Sequence, residues 1–239
     1  MARPGDLMRE IVLDTETTGL EPTEGHRVVE IGALELLNHL PTGRFFHAYV
    51  NPERDMPPDA QLVHGLSAAF LREQPVFAEV VDDFLAFLDH DRHASPAPCC
   101  LVIHNAGFDI AFLNSELARL GRAPLDRERA VIDTLQLSRQ RFPGAPNSLD
   151  ALCRRFNVDA AARIRHGALL DAELLAEVYL GLIGGRQPDL GLVVVETRRI
   201  VVQTQPRVPR PARPHAPSPE ELAAHAAFLD QLTAPIWLQ

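Results

Sequence analysis

Glu10-Ile11-Val12-Leu13-Asp14-Thr15-Glu16-Thr17-Thr18-Gly19 is the stretch that decides how this chain is read. Its first half is a short, largely apolar, β-branched run of the kind that forms a buried strand, and a turn signal with Gly19 follows. Successive residues of a strand point to opposite faces, so Asp14 and Glu16, two apart, present neighbouring carboxylates at the strand's end. Two acids held that close repel one another and shift their pKa values unless a cation sits between them. Hard oxygen donors so arranged favour Mg²⁺ or Mn²⁺. A bare Asp-x-Glu is common on exposed strands, but the same pair closing an apolar strand is a much sharper signal.

Outward from that strand, residues 28–37 (VVEIGALELL) and 45–50 (FFHAYV) continue in strand-like style, and strands following strands predict an antiparallel start. From Pro75 the period changes. Phe77, Val80, Val81, Phe84, Leu85 and Leu88 recur at helical spacing and predict an amphipathic helix. Residues 101–104 (LVIH) read as a short buried strand, followed by a turn at Asn105-Ala106-Gly107 and a helix to about Leu120, which Gly121 is placed to end. Asp133 and Gln136 form a capping signal before another helix, ended by Pro143-Gly144. A further helix is predicted from Asn147-Ser148, and a long one over 167–183, stopping at Gly184-Gly185. Strands that give way to strand–helix alternation predict an α/β fold, a mixed sheet flanked by helices.

Two more segments carry chemistry. In His104-Asn105-Ala106-Gly107-Phe108-Asp109, the acid falls in the opening turns of a helix, where the macrodipole stabilises a carboxylate whatever its role. In His166-Gly167-Ala168-Leu169-Leu170-Asp171, five residues separate the His from the Asp, about 140° apart on an ideal helix. They share a site only if His166 precedes the helix on its entering loop, which Gly167 permits. Taken singly, each is an ordinary cap or surface residue. Together, four acids and a His at a strand end and two helix starts supply what two-metal phosphodiester hydrolysis needs: carboxylates to hold the ions and a neutral His to take a proton from water.

The chain has 239 residues, of which 46% are hydrophobic, enough for one domain with a buried core and an appendage. Lys+Arg number 23 against 32 Asp+Glu, a net charge of −9, and every basic side chain is Arg. That balance is unusual for a protein that grips a polyanion unaided. Cys99, Cys100 and Cys153 lack metal-ligand spacing and are odd in number, against a disulfide framework or a zinc site. The N-terminal stretch has no signal-peptide features and no apolar run suits a membrane span, so a soluble, cytoplasmic protein is expected. Beyond residue 185 the composition shifts: prolines at 206, 209, 211, 214, 217 and 219 alternate with arginines at 207, 210 and 213, predicting an extended linker over 194–217. Ser218-Pro219-Glu220-Glu221 then predicts a helix start, with Leu222, Ala226, Leu229 and Leu232 on one face.

DTETTG, VIHNAGFDIAF, PNSLDALCRRF and HGALLDAELLAEVYL resemble the DEDDh exonucleases of the DnaQ-like, RNase H-like superfamily, and within it the epsilon (proofreading) subunits of bacterial DNA polymerase III. The likeness covers about residues 9–185. It implies a 3′→5′ exonuclease with two Mg²⁺ or Mn²⁺ ions, in which Asp14 bridges the metals, Glu16 and Asp171 complete one shell, Asp109 serves the second ion and His166 is the general base. MPPDAQLVHGL at 56–66 matches the family's loop at the 3′-terminal nucleotide, which makes Asp59 and His64 substrate contacts; the family's usual acid there is Glu, one methylene longer than Asp59. Phe108 is implied to wedge against the terminal base, or else to be a core aromatic. Gln187-Pro188-Asp189-Leu190-Gly191-Leu192 resembles the Q-x-x-L-x-[FL] peptides that plug into bacterial sliding clamps, with Gln187, Leu190 and Leu192 as anchors within 186–193. The segment 218–239, with the lone Trp237, is implied to dock on the polymerase III catalytic (alpha) subunit, and frayed or single-stranded DNA 3′ ends are the implied substrate. Two other readings share the fold: a free-standing DEDDh exoribonuclease or oligoribonuclease, and a non-catalytic polymerase assembly factor.

Overall fold

The structure, a computed structural model, describes residues 8–89, 99–125, 129–160, 166–184 and 216–231. The chain divides into two compact units, Met1–Leu190 and Gly191–Gln239. In the first, β1 (Arg9–Thr17), β2 (Val28–Leu37) and β3 (Leu40–Tyr49) form an antiparallel meander, as the run of strand-like segments predicts. β4 (Cys100–Ile103) then pairs parallel to β1, and β5 (Val131–Asp133) parallel to β4, giving the order β3-β2-β1-β4-β5. The mixed sheet flanked by helices is the expected fold.

Period-two alternation divides β1 between two cores. Ile11 and Leu13 lie in one cluster with Val81 and Phe84 of α3 (Phe77–Asp89) and Ile110 and Leu113 of α4 (Ala106–Arg119). Val12 lies in the other, with Leu152 of α6 (Leu149–Phe156) and Leu175 and Val178 of α7 (Ala168–Leu182). Each fully buried Leu, Ile or Phe removes apolar surface worth roughly 1.5–3 kcal/mol, so both faces hold β1 firmly. Asp14 and Glu16 continue the parity of Val12 and face the α7 side; Thr15 continues that of Leu13 and faces α4.

The predicted helix ends are found with their chemistry. Arg122 N–H bonds the Leu117 carbonyl (2.9 Å) and Gly121 N–H that of Ala118 (3.0 Å), a Schellman close to α4 with Gly121 at φ +67°. The Asp133 side chain caps α5 (Thr134–Arg141) through the Leu135 and Gln136 N–H groups, and Ser148 caps α6. A part-buried Arg27–Glu116 fork, 2.6 and 2.8 Å, ties α4 to the start of β2.

Three features depart from the sequence reading. β3 begins at Leu40 rather than Phe45, because its outer half is an exposed edge carrying Pro41 and Gly43, without apolar alternation. β5 is three residues long, too short for any period to show. Residues 56–66, read as a loop, contain the helix α1 (Pro58–His64), ended by Gly65 at φ +78°, and α2 (Ala68–Arg72) follows it. In the second unit, α8 (Pro219–Leu229) starts with the full Ser218–Glu221 capping box, and Leu222 (54%) and Phe228 (55%) stand exposed. Gln187, Leu190, Leu192, Trp237 and the linker residues 194–215 lie outside the described residues.

Candidate active site

The predicted site residues come from distant parts of the chain and meet at the carboxyl ends of β1, β4 and β5, where ligands of open α/β sheets bind. A pocket of about 490 Å³ is lined by Asp14, Glu16, Asp109, His166 and Asp171 together. Asp14 and Glu16 are supplied by β1. Asp109 sits one turn into α4, and Asp171 in the first turn of α7, so both carboxylates lie near the positive end of a helix.

Glu16, Asp109 and Asp171 are buried (8%, 3% and 3% exposed), which a surface helix-start acid would not be. Asp109 is held from the opposite face of β1: its Oδ1 accepts from Thr15 N–H (3.0 Å) and Thr15 Oγ1–H (2.7 Å). Burial pushes the Asp109 carboxyl up to about 7, the Thr15 bonds pull it down, and the nearby Asp133 charge adds to the rise. Ligand atoms of Glu16, His166 and Asp171 all lie within 4.8 Å of one another, and His166 Nδ1 is 3.2 Å from Asp171 Oδ2. Such a carboxylate-rich donor set, with a buried acid whose charge is unfavourable alone, fits a hard divalent cation.

His166 does precede α7, on its entering loop, as sharing a site with Asp171 requires. Its backbone N–H bonds the Val63 carbonyl of α1 (3.3 Å), so the loop and α1 are joined. A second cavity, about 540 Å³, adjoins the first through Thr15, Glu16 and Phe108, and is lined by Asp59 and His64 on its far wall. His64 closes α1 and is buried; its Nδ1 accepts from Leu66 N–H (3.0 Å), while the buried Nε2 makes no hydrogen bond of normal length and geometry. Burial lowers its pKa, against the pull of the Glu30 charge and the Thr17 backbone. A neutral ring with Nδ1 accepting carries its proton on Nε2, a donor in need of an oxygen. Phe108, half-buried, packs on Phe112 (4.9 Å between centroids) and lines both cavities.

Sequence reasoning missed three supports. Thr15 was visible inside the motif, but nothing in the sequence says that it reaches Asp109. Gly32, directly opposite Asp14 in the β1–β2 register, leaves room for α7: a Cβ there would stand 2.2 Å from Leu169 N and 2.3 Å from Ala168 C. A glycine inside a strand pattern is the available signal for such an approach. Glu30, the cross-strand partner of Glu16, is buried beside it and is hydrogen-bonded to His47 Nε2 (2.7 Å).

The fold and this convergence of carboxylates define an α/β nuclease of the metal-dependent, RNase H-like class. The family model described as Exonuclease, that of RNase T, matches residues 11–179. The chain is 49% identical over 230 residues to the DNA polymerase III subunit epsilon of Rickettsia felis, covering 94% of this chain and 97% of that one. It is 43% identical over 234 residues to the subunit of the same name from Escherichia coli K12, covering 94% and 93%. The chain belongs to this exonuclease family, among the epsilon subunits of bacterial DNA polymerase III. Solved structures share the fold at low identity. The nuclease domain of 3′hExo, a DEDDh family member bound to rAMP, aligns at TM-score 0.64 and 17% identity over 76% of this chain and 94% of that one. The zinc-bound E. coli ExoI–ssDNA complex aligns at 0.64 and 17%, over 76% and 41%.

Proposed function

We propose that the chain removes 3′-terminal nucleotides from DNA as the proofreading subunit of a replicative polymerase, releasing 5′-mononucleotides. The observation that carries this reading is the meeting of Asp14, Glu16, Asp109, His166 and Asp171 in one pocket. Two divalent ions, Mg²⁺ or Mn²⁺, would polarise the scissile phosphate and acidify the attacking water when bound. Asp14 would be the carboxylate common to both, Glu16 and Asp171 would help hold one, and Asp109 would serve the other. His166 takes the proton of the attacking water: with Nδ1 turned to Asp171, a neutral ring has its acceptor lone pair on Nε2. Asp59, His64 and Phe108 receive the terminal nucleoside in the adjoining cavity, where the Nε2–H of His64 meets a substrate oxygen.

The acidic chain is not built to seize duplex DNA alone, so it works on frayed 3′ ends delivered in the cytoplasm by the polymerase catalytic subunit, to which residues 218–239 dock. Mispaired ends unpair more cheaply, which selects errors without base-specific contacts. Gln187, Leu190 and Leu192 add a hold on the sliding clamp. The test is mononucleotide release from a mismatched primer. Asp14→Ala and Asp171→Ala should abolish it, and His166→Ala should lower kcat about 10²–10⁴-fold while keeping metal affinity by calorimetry. Near-normal release by a folded Asp171→Ala protein refutes the assignment.

A further inference from the structure

Among the described residues, the five carboxylates that line the catalytic pocket (Asp14, Glu16, Asp109, Asp150 and Asp171) share it with one guanidinium, Arg139. It projects from α5 one turn beyond Leu135, which lines the same pocket, and it is exposed. Two other arginines of α5 and α6 are engaged elsewhere: Arg141 caps the end of α7 through the Gly181 and Leu182 carbonyls, and Arg155 lies over the Phe142 ring at 4.4 Å. Among the described residues no acid pairs with Arg139, although acids lie on the same wall.

The two adjoining cavities give the groove a direction. If the terminal nucleoside occupies the cavity of Asp59 and His64, the scissile phosphate lies over Asp14, Glu16 and Asp171. The strand must then leave through the pocket walled by Leu135, Arg139 and Leu149. α5 is a firm mount for that wall: Asp133 caps its first turn and also accepts from the Asn105 N–H at the start of α4 (3.2 Å), tying it to the helix that carries Asp109. A planar, always-charged fork in a pocket of acids attracts one thing the acids repel, a phosphate.

Resting on the nuclease reading above, we infer that Arg139 binds the phosphodiester one nucleotide upstream of the scissile bond, with Leu135 beneath the penultimate base. It is a specificity residue, selecting a polynucleotide end over a lone nucleotide ester.

The test compares two substrates under one set of conditions: a single-stranded oligothymidylate, and the p-nitrophenyl ester of thymidine 5′-phosphate, which has a scissile phosphate but no upstream one. Arg139→Gln should lower the ratio of kcat/KM for the oligonucleotide over that for the ester about tenfold, mainly through KM. The salt dependence of oligonucleotide cleavage should become shallower by about 0.7 in log–log slope, one phosphate contact on a single strand. Arg139→Lys should recover part of the ratio, because the charge remains. Equal losses on both substrates, or an unchanged ratio, would overturn the inference. Failure of the unmutated protein to cleave either substrate would instead count against the nuclease reading.

Discussion

His64 is a histidine shielded from water, and its protonation has a cost that can be measured. In the unfolded chain its ring takes up a proton at about pH 6.5; in the folded protein burial lowers that pKa. Between the lowered value and about 6.5 the unfolded state therefore binds more protons, so stability is fully present above about pH 6.5 and is lost as the pH falls below it. The slope from this one group reaches at most about 1.4 kcal/mol per pH unit. Urea unfolding of the metal-free protein at pH values stepped down from 7 should show the decline, and His64→Gln should remove part of it. If the two proteins lose stability in parallel, the ring is not held neutral as described. Thr15 shows the same economy at another residue: with both N–H and hydroxyl on Oδ1 of Asp109, it holds the carboxylate's orientation.

At the scale of elements, the placing of α7 against β2 matters most. Gly32 lets the backbone of residues 168–169 approach the strand directly, and this brings Asp171 beside Asp14 and Glu16. Gly32→Ala should push the start of α7 away, destabilise the protein by roughly 1–3 kcal/mol and weaken metal affinity at least tenfold, read by Mn²⁺ titration of protein still folded by circular dichroism. Gly181→Ala, at the far end of the same helix, meets first the Phe156 ring, a side chain that can turn, and should keep its metal affinity. Equal metal binding by both variants would show that Gly32 does not set the spacing. The motif-bearing elements were legible in the sequence because each carries its own local chemistry: a strand ending in alternate acids, an Asp133 cap, a Gly121 stop. What was not legible depends on contact between segments. Nothing in residues 131–133 marks a strand until β4 lies beside them, and the Pro-Pro start and Gly65 end of α1 were overlooked because the segment is short and polar. The five site residues were named from sequence, but the Thr15–Asp109 bond and the Gly32 approach exist only once the sheet has formed.

For the whole molecule, charge and exposure point outward. A chain of net charge −9 carries a capped helix whose Leu222 and Phe228 face solvent, an apolar surface with nothing in its own unit to cover it among the described residues. Removing residues 218–239 should leave oligonucleotide cleavage unchanged, because the carboxylates all lie in the other compact unit, yet end co-purification with the polymerase catalytic subunit. A truncated chain that still co-purifies would place the docking surface elsewhere. The division of β1 between two cores also bears on how the protein is made. Among the described residues, the core cluster on the α4 face draws on residues 11–125, so the segment carrying Asp14, Glu16 and Asp109 can begin to pack before the rest has been synthesised. The opposite cluster waits for α6 and α7, and with them come His166 and Asp171. A nascent chain therefore lacks His166 and Asp171 until its last catalytic helix has been made, so the order of synthesis completes the pocket last.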